Sequence, residues 1–156
     1  MKSLNKIKLN LDAGPYDEIY KSADNNIIWG EEPSRLVRNF LKYIKKKNVI
    51  DIGCGDGVNS IYLEKKGFSV TGIDISEVAL NGLYNRFSLE GKTPNGKYFL
   101  SNISNGLSKH KYGAIVSCGL YHCLPKFNRK DIVKQIIKSN LDRGGIILFS
   151  TLTNEI

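Results

Sequence analysis

Val49-Ile50-Asp51-Ile52-Gly53-Cys54-Gly55-Asp56-Gly57 is the stretch that decides the fold. Val49 to Ile52 are β-branched except for Asp51, which suits a short buried strand, and Ile61, Tyr62 and Leu63 beyond the glycines read as helix. Gly53, Gly55 and Gly57 remove the Cβ atoms that would hold a ligand off the backbone, so a ligand across this turn is expected to meet main-chain N–H groups directly. Seventeen residues past Gly57 a second apolar run, Phe68-Ser69-Val70-Thr71-Gly72-Ile73, ends at Asp74. An acid at the end of a second strand is placed to accept hydrogen bonds from ribose hydroxyls, so the pattern reads as a nucleotide-binding turn.

The spacing separates cofactor classes. A dinucleotide fingerprint needs its third glycine at position 58, and Val58 stands there, which disfavours a nicotinamide enzyme. The order Asp51-x-Gly53-x-Gly55-x-Gly57 instead resembles motif I of the class I S-adenosylmethionine-dependent methyltransferases, and the resemblance runs from about Trp29 to Leu152. It implies a Rossmann-like, doubly wound α/β fold with a parallel sheet. It also implies S-adenosylmethionine as cofactor, its methionyl part facing Gly53, Cys54 and Gly55 and its ribose held by Asp74. Trp29-Gly30-Glu31-Glu32-Pro33-Ser34, with Tyr16-Asp17-Glu18-Ile19-Tyr20 upstream, is similar to the lid region of the thiopurine and tellurite-resistance type small-molecule methyltransferases. In those enzymes an aromatic residue before this helix covers the cofactor; a lone Trp is equally suited to anchoring a core.

The 156 residues are one domain's worth of chain, expected as a lid segment over 1–32 and a cofactor-binding core over 33–156. No apolar stretch is long enough to span a membrane and Met1-Lys2-Ser3-Leu4-Asn5-Lys6 opens no secretory core, so the cytoplasm is the expected compartment. Three cysteines without a Cys-x-x-Cys pair and only two histidines argue against a disulfide framework and against a metal site. The net charge of +8 invites a nucleic-acid reading. Its lysines fall at expected helix ends and faces, however, without an Arg-rich arm or repeated stacking aromatics, and nucleic acid is disfavoured as the acceptor.

Helices and strands alternate along the chain. A short helix follows Pro15, and a longer one opens at Glu32-Pro33-Ser34 with Leu36, Val37, Phe40, Leu41 and Ile44 on one face. A further helix after the turn stops at Gly67, the next is capped by Ser76, and the last is expected over Arg129 to Asn140. Later strands are expected at Lys97 to Ser101, Tyr112 to Ser117 and Ile146 to Leu152, with residues Lys2 to Gly14 irregular. Such alternation places a ligand at the carboxyl ends of the strands.

Those ends supply the candidate site. The resemblance implies cofactor contacts from Trp29, Asp51, Gly53, Cys54, Gly55, Asp74, Ile75, Asn102, Ile103 and Ser117. Family members commonly carry an acid after the third strand to receive the adenine amino group. Here Asn102 stands in its place, and its carbonyl can accept the same bond, or instead close an Asx turn. Ser117 to His122 reads as the loop under the methyl group. His122 is the candidate base and Tyr121 the residue that orients the acceptor, although an amine or thiol acceptor needs no base. The Asn-Pro-Pro-Tyr sequence of nucleic-acid amino methyltransferases is absent, and a small-molecule acceptor is expected.

Family members continue past the fifth strand with a helix and an antiparallel strand pair, whereas this sequence stops at Thr153-Asn154-Glu155-Ile156. The fifth strand is then expected as a sheet edge, covered by a second copy, a partner chain or the rest of a longer protein. The competing function class is a cofactor-binding module without activity that works through a partner.

Overall fold

The computed structural model describes residues 12–152. Five helices, α1 (Gly14–Lys21), α2 (Arg35–Phe40), α3 (Val58–Lys65), α4 (Glu77–Leu89) and α5 (Arg129–Asn140), surround five strands, β1 (Asn48–Ile52), β2 (Ser69–Asp74), β3 (Lys97–Leu100), β4 (Tyr112–Cys118) and β5 (Leu141–Ser150). The strands form one sheet in the order β3-β2-β1-β4-β5, every neighbouring pair parallel. The order reverses beside β1, which is where an open parallel sheet presents a crevice at its carboxyl edge. This is the doubly wound Rossmann-like fold that the glycine turn implies.

Alternation along the strands sorts the core onto two faces. Val49, Ala114 and Val116 pack with Val37 and Leu63 of α2 and α3 on one face, while Ile50, Ile52 and Ile115 pack with Ile136 of α5 on the other. Ser76 caps α4 by accepting from the Ala79 N–H at 3.0 Å, and Gly67 takes a left-handed φ of 78° where α3 ends. The residues Lys2 to Gly14, expected as irregular, lie outside the described chain up to position 11.

Two elements differ from expectation. The helix opened by Ser34 keeps only six residues before tightening into a 3₁₀ turn at Leu41–Tyr43. This turn swings Ile44 into the core and leaves Phe40 and Tyr43 exposed, their ring centroids 5.7 Å apart. The fifth strand starts at Leu141 rather than Ile146 and ends at Ser150. Its first residue pairs with Tyr112 while Ile146 pairs with Ala114, so the extra residues loop out as a bulge. Gly144 makes that bulge possible with a φ of 74°, a conformation that a side chain would strain.

Candidate functional site

The carboxyl ends of β1 and β2 are tied together by the turn's own backbone. The N–H groups of Gly53 and Cys54 both donate to the Ile73 carbonyl, at 2.8 and 3.0 Å, and the Gly57 N–H donates to Cys54 at 3.0 Å. These donors are therefore hydrogen-bonded inside the protein. What the turn offers is a surface without side chains. Gly55 holds φ at 55°, and a Cβ added there would lie 2.5 Å from the Tyr20 hydroxyl and 3.4 Å from Trp29 Nε1.

Two further positions expected at the cofactor instead support the turn from below. Asp51 shares the Val49 face of β1, so its carboxylate is buried beneath α3 and accepts from Ser60 Oγ at 2.7 Å. Burial pushes its carboxyl up to about 7, against which the Ser60 bond works and to which the Asp74 charge adds. The Cys54 side chain is buried next to the Cα of Gly72, and burial raises its thiol well above the ordinary range.

Asp74 stands at the mouth. Oδ2 accepts from the Gly55 N–H at 2.8 Å and Oδ1 from the Ser76 N–H at 2.9 Å, so the carboxylate joins the glycine turn to the start of α4. Burial raises its carboxyl from the ordinary value, and Asp17 adds to the rise. Ile75 beside it is half-buried.

A roof closes over this floor from the N-terminal side. Pro15 sits in the first turn of α1, which brings Tyr16, Asp17 and Tyr20 over the site. Tyr20 is buried and its hydroxyl accepts from Trp29 Nε1–H at 2.9 Å directly above Gly55. Ser76 Oγ donates to Asp17, and the Tyr16 hydroxyl meets the Cys123 thiol, so burial and that contact hold its phenol protonated. Trp29 is 61% exposed and is thus part of the roof rather than a core anchor. The roof is pinned by Asp56, fully buried within the turn, whose Oδ2 accepts from the Ile28 and Trp29 N–H groups at 2.7 and 3.0 Å. Arg86 of α4 stands 2.9 Å from the same oxygen as the ion-pair partner. Asp56 and Arg86 were not among the expected site residues. An acid between two glycines of a binding turn was the signal that could have found the first.

Past β3, the Asn102 carbonyl accepts from both the N–H and the hydroxyl of Ser104, at 3.0 and 2.6 Å. This is the Asx-turn alternative, and it fills both lone pairs of the oxygen expected to receive adenine. Ile103 is buried in the core. At the end of β4, Ser117 is buried beside a small apolar crevice of about 30 Å³ between α5 and the sheet, lined among others by Leu120, Tyr121, Ile147 and Phe149. Tyr121 packs edge-on against Phe149 at 5.3 Å and carries the Arg129 guanidinium over its ring at 4.8 Å. His122 lies outside this grouping. It is exposed, with Nδ1 3.4 Å from Thr151 Oγ1 on the β5 side, so the structure does not bring the expected base to Asp74 or the glycine turn.

These residues fit the cofactor that the resemblance implies. Asp74 accepts from the Gly55 and Ser76 N–H groups and keeps further lone pairs for ribose hydroxyls, beside a turn that carries no side chain at Gly55. Among the described residues no group of three or more His, Cys, Asp or Glu side chains could hold a metal ion, and no helix is long and apolar enough to cross a membrane.

Comparison with known proteins points the same way. Residues 28–156 match the methyltransferase domain family. The ribosomal RNA small subunit methyltransferase C of Buchnera aphidicola subsp. Baizongia pistaciae is 33% identical over 135 residues, covering 83% of this chain and 40% of that protein. The ubiquinone biosynthesis O-methyltransferase of Hydrogenovibrio crunogenus is 31% identical over 110 residues, covering 70% of this chain and 44% of that protein. Among solved structures, TehB from Haemophilus influenzae superposes with a TM-score of 0.59 at 27% identity, over 81% of this chain and 41% of that one. The chain thus spans about two-fifths of the length of these relatives.

Proposed function

We propose, since this chain belongs to the methyltransferase domain family, that it binds S-adenosylmethionine against Asp74 and the glycine turn, beside the Tyr20–Trp29 pair, and transfers its methyl group to a small-molecule acceptor. The observation that carries this reading is Asp74, which bridges the Gly55 and Ser76 N–H groups beneath that roof. In this reading the ribose sits on Asp74, the methionyl part lies along Gly53 and Gly55, and Trp29 shields it from water. The cofactor supplies a methyl group already activated on a sulfonium, so what the protein adds is mainly placement of an acceptor lone pair about 3 Å away.

The small crevice beside Ser117 favours an apolar acceptor: Leu120, Tyr121 and Phe149 present apolar surface there, and the Ser117 hydroxyl supplies one polar contact. The O-methyltransferase relative is consistent with an oxygen acceptor. His122 is kept as the base only for an acceptor that must lose a proton, through a movement of the Tyr121–Cys123 turn. The ribosomal RNA methyltransferase relative favours a second reading, RNA as acceptor.

Turnover separates them. The chain is incubated with S-adenosylmethionine and either a panel of hydroxylated aromatic compounds or a ribosomal RNA fragment, and S-adenosylhomocysteine release is measured. Release with a small aromatic acceptor supports the first reading; release with RNA alone overturns it in favour of the second. Among the described residues β5 is the outer strand of the sheet, which supports cover by a second copy, a partner chain or the rest of a longer protein; a monomer in light scattering at micromolar concentration would remove the second copy.

A further inference from the structure

The sequence shows an excess of positive charge but not where it lies, and the fold gathers much of it at one end. Lys45 and Lys47 precede β1, Lys66 precedes β2, Lys109 precedes β4, Lys138 sits in the last turn of α5 and Arg143 in the bulge of β5. In a parallel sheet all of these positions fall at the amino edge. The contacts agree: Ser69 N–H donates to the Lys47 carbonyl, Lys46 pairs with Asp142, and Lys111 Nζ donates to the Lys138 carbonyl. All six residues are exposed, and among the described residues none has its charged group within 4 Å of a carboxylate.

The acids at this edge are already engaged. Glu64 accepts from the Asn95 and Gly96 N–H groups and the Tyr98 hydroxyl, Glu90 pairs with Lys65 and Lys92, and Asp142 pairs with Lys46. The carboxyl ends of α3, α4 and α5 also point here. Each carries only about half a negative charge, which leaves most of the cationic excess unbalanced. The opposite edge mixes signs, with Asp17, Asp24, Glu31 and Glu77 against Lys126, Arg129 and Lys130. The cationic excess is thus concentrated at the amino edge, a strand length of about 20 Å from Asp74.

Aromatic rings border the basic pole. Tyr43 and Phe40 are 54% and 44% exposed, pack against each other, and lie beside Lys42, whose Nζ stands 5.2 Å over the Tyr43 ring. A cationic face bordered by exposed rings fits a phosphate backbone with unpaired bases, because the cations track phosphates and the rings stack bases of any sequence. RNA is the nucleic acid that commonly presents such bases, in loops and ends.

We propose that the amino-edge face bearing Lys45, Lys47, Lys66, Lys109, Lys138 and Arg143, with the Phe40–Tyr43 pair at its border, docks single-stranded RNA. The docked RNA lies on the far side of the sheet from the Asp74 site, so this surface is separate from the methyl-acceptor crevice and stands independently of the acceptor's identity.

Fluorescence anisotropy with a labelled 20-nucleotide single-stranded RNA tests it across a salt series. Six phosphate contacts predict a log–log salt slope near −4, at about 0.7 per contact. The triple variant K45A/K109A/R143A is expected to weaken binding at least tenfold at low salt and to flatten the slope by about 2. Tyr43→Ala is expected to weaken binding about tenfold with the slope unchanged, since stacking carries no counterion release. Lys126→Ala/Lys130→Ala, at the other end of α5, is expected to change neither. Any one of four results overturns the proposal: no binding by the unaltered chain, an unchanged slope in the triple variant, loss of binding in the Lys126/Lys130 variant instead, or tighter association with phosphatidylserine vesicles than with RNA.

Discussion

Replacing Asp51 by Asn tests the account of the turn quantitatively. Asp51 is fully buried, and its carboxyl is pushed up to about 7 from an ordinary 3.8, chiefly by burial. Between about pH 4 and 7 the folded protein therefore holds a proton that the unfolded chain releases. Folding stability must then fall as pH rises through that window and level off above it. At ~1.4 kcal/mol per pKa unit, the cost grows by about 3 kcal/mol between pH 5 and 8.5. The amide of D51N does not titrate, and its carbonyl can still accept from Ser60 Oγ, so any cost of seating the amide is the same at every pH. Thermal melting of the two proteins from pH 5 to 8.5 is the assay. The melting temperature of D51N relative to the unaltered chain should climb by about 5–10 °C across that range, at about 2–4 °C per kcal/mol for a chain of this size. Parallel curves would show that Asp51 is not a buried proton holder and would refute the reasoning.

The roof and the Tyr121–Cys123 turn give three further expectations. Gly55→Val should fold with a loss of about 1–3 kcal/mol, from a strained left-handed residue and a side chain pressed into the Tyr20 hydroxyl, and should lose S-adenosylhomocysteine affinity; unchanged affinity would mean that the ligand does not approach the turn. Tyr20→Phe leaves the Trp29 Nε1–H without its acceptor, so the emission of the chain's single tryptophan should shift, with a stability loss of about 1 kcal/mol; an unchanged spectrum would remove that bond from the account. His122→Ala should leave melting within about 0.5 kcal/mol and cofactor affinity intact, because His122 is exposed and apart from Asp74; loss of affinity would place it in the cofactor site.

What the sequence made legible was local. A β-branched run into glycines, the Ser76 cap, Gly67 after α3 and the helix over Arg129 to Asn140 depend on residues close together in the chain, and the structure has them. What stayed hidden depends on partners far away. The early start of β5 is set by pairing with Tyr112 across the sheet. The N–H groups of Gly53 and Cys54 are claimed by Ile73, and Asp56 is claimed by Ile28, Trp29 and Arg86. Asn102 is the instructive exception, because the Asx turn to Ser104 is local and was legible; the resemblance to an adenine-binding acid competed with it. Asp74 was identified by its spacing, but its tie to Gly55 was not, and that tie makes it a support of the turn as well as a candidate ligand.

The most direct measurement is calorimetric titration of S-adenosylhomocysteine into the unaltered chain and into Asp74→Ala, with melting curves for both. The unaltered chain should bind. The variant should lose about 2–3 kcal/mol of stability, because the Gly55 and Ser76 N–H groups lose a charged acceptor. While still folded, it should bind at least tenfold more weakly, since each charge-assisted bond to the ribose contributes ~1.5–3 kcal/mol. No binding by the unaltered chain, or full affinity in a folded Asp74→Ala, would contradict the assignment of this turn as the cofactor site.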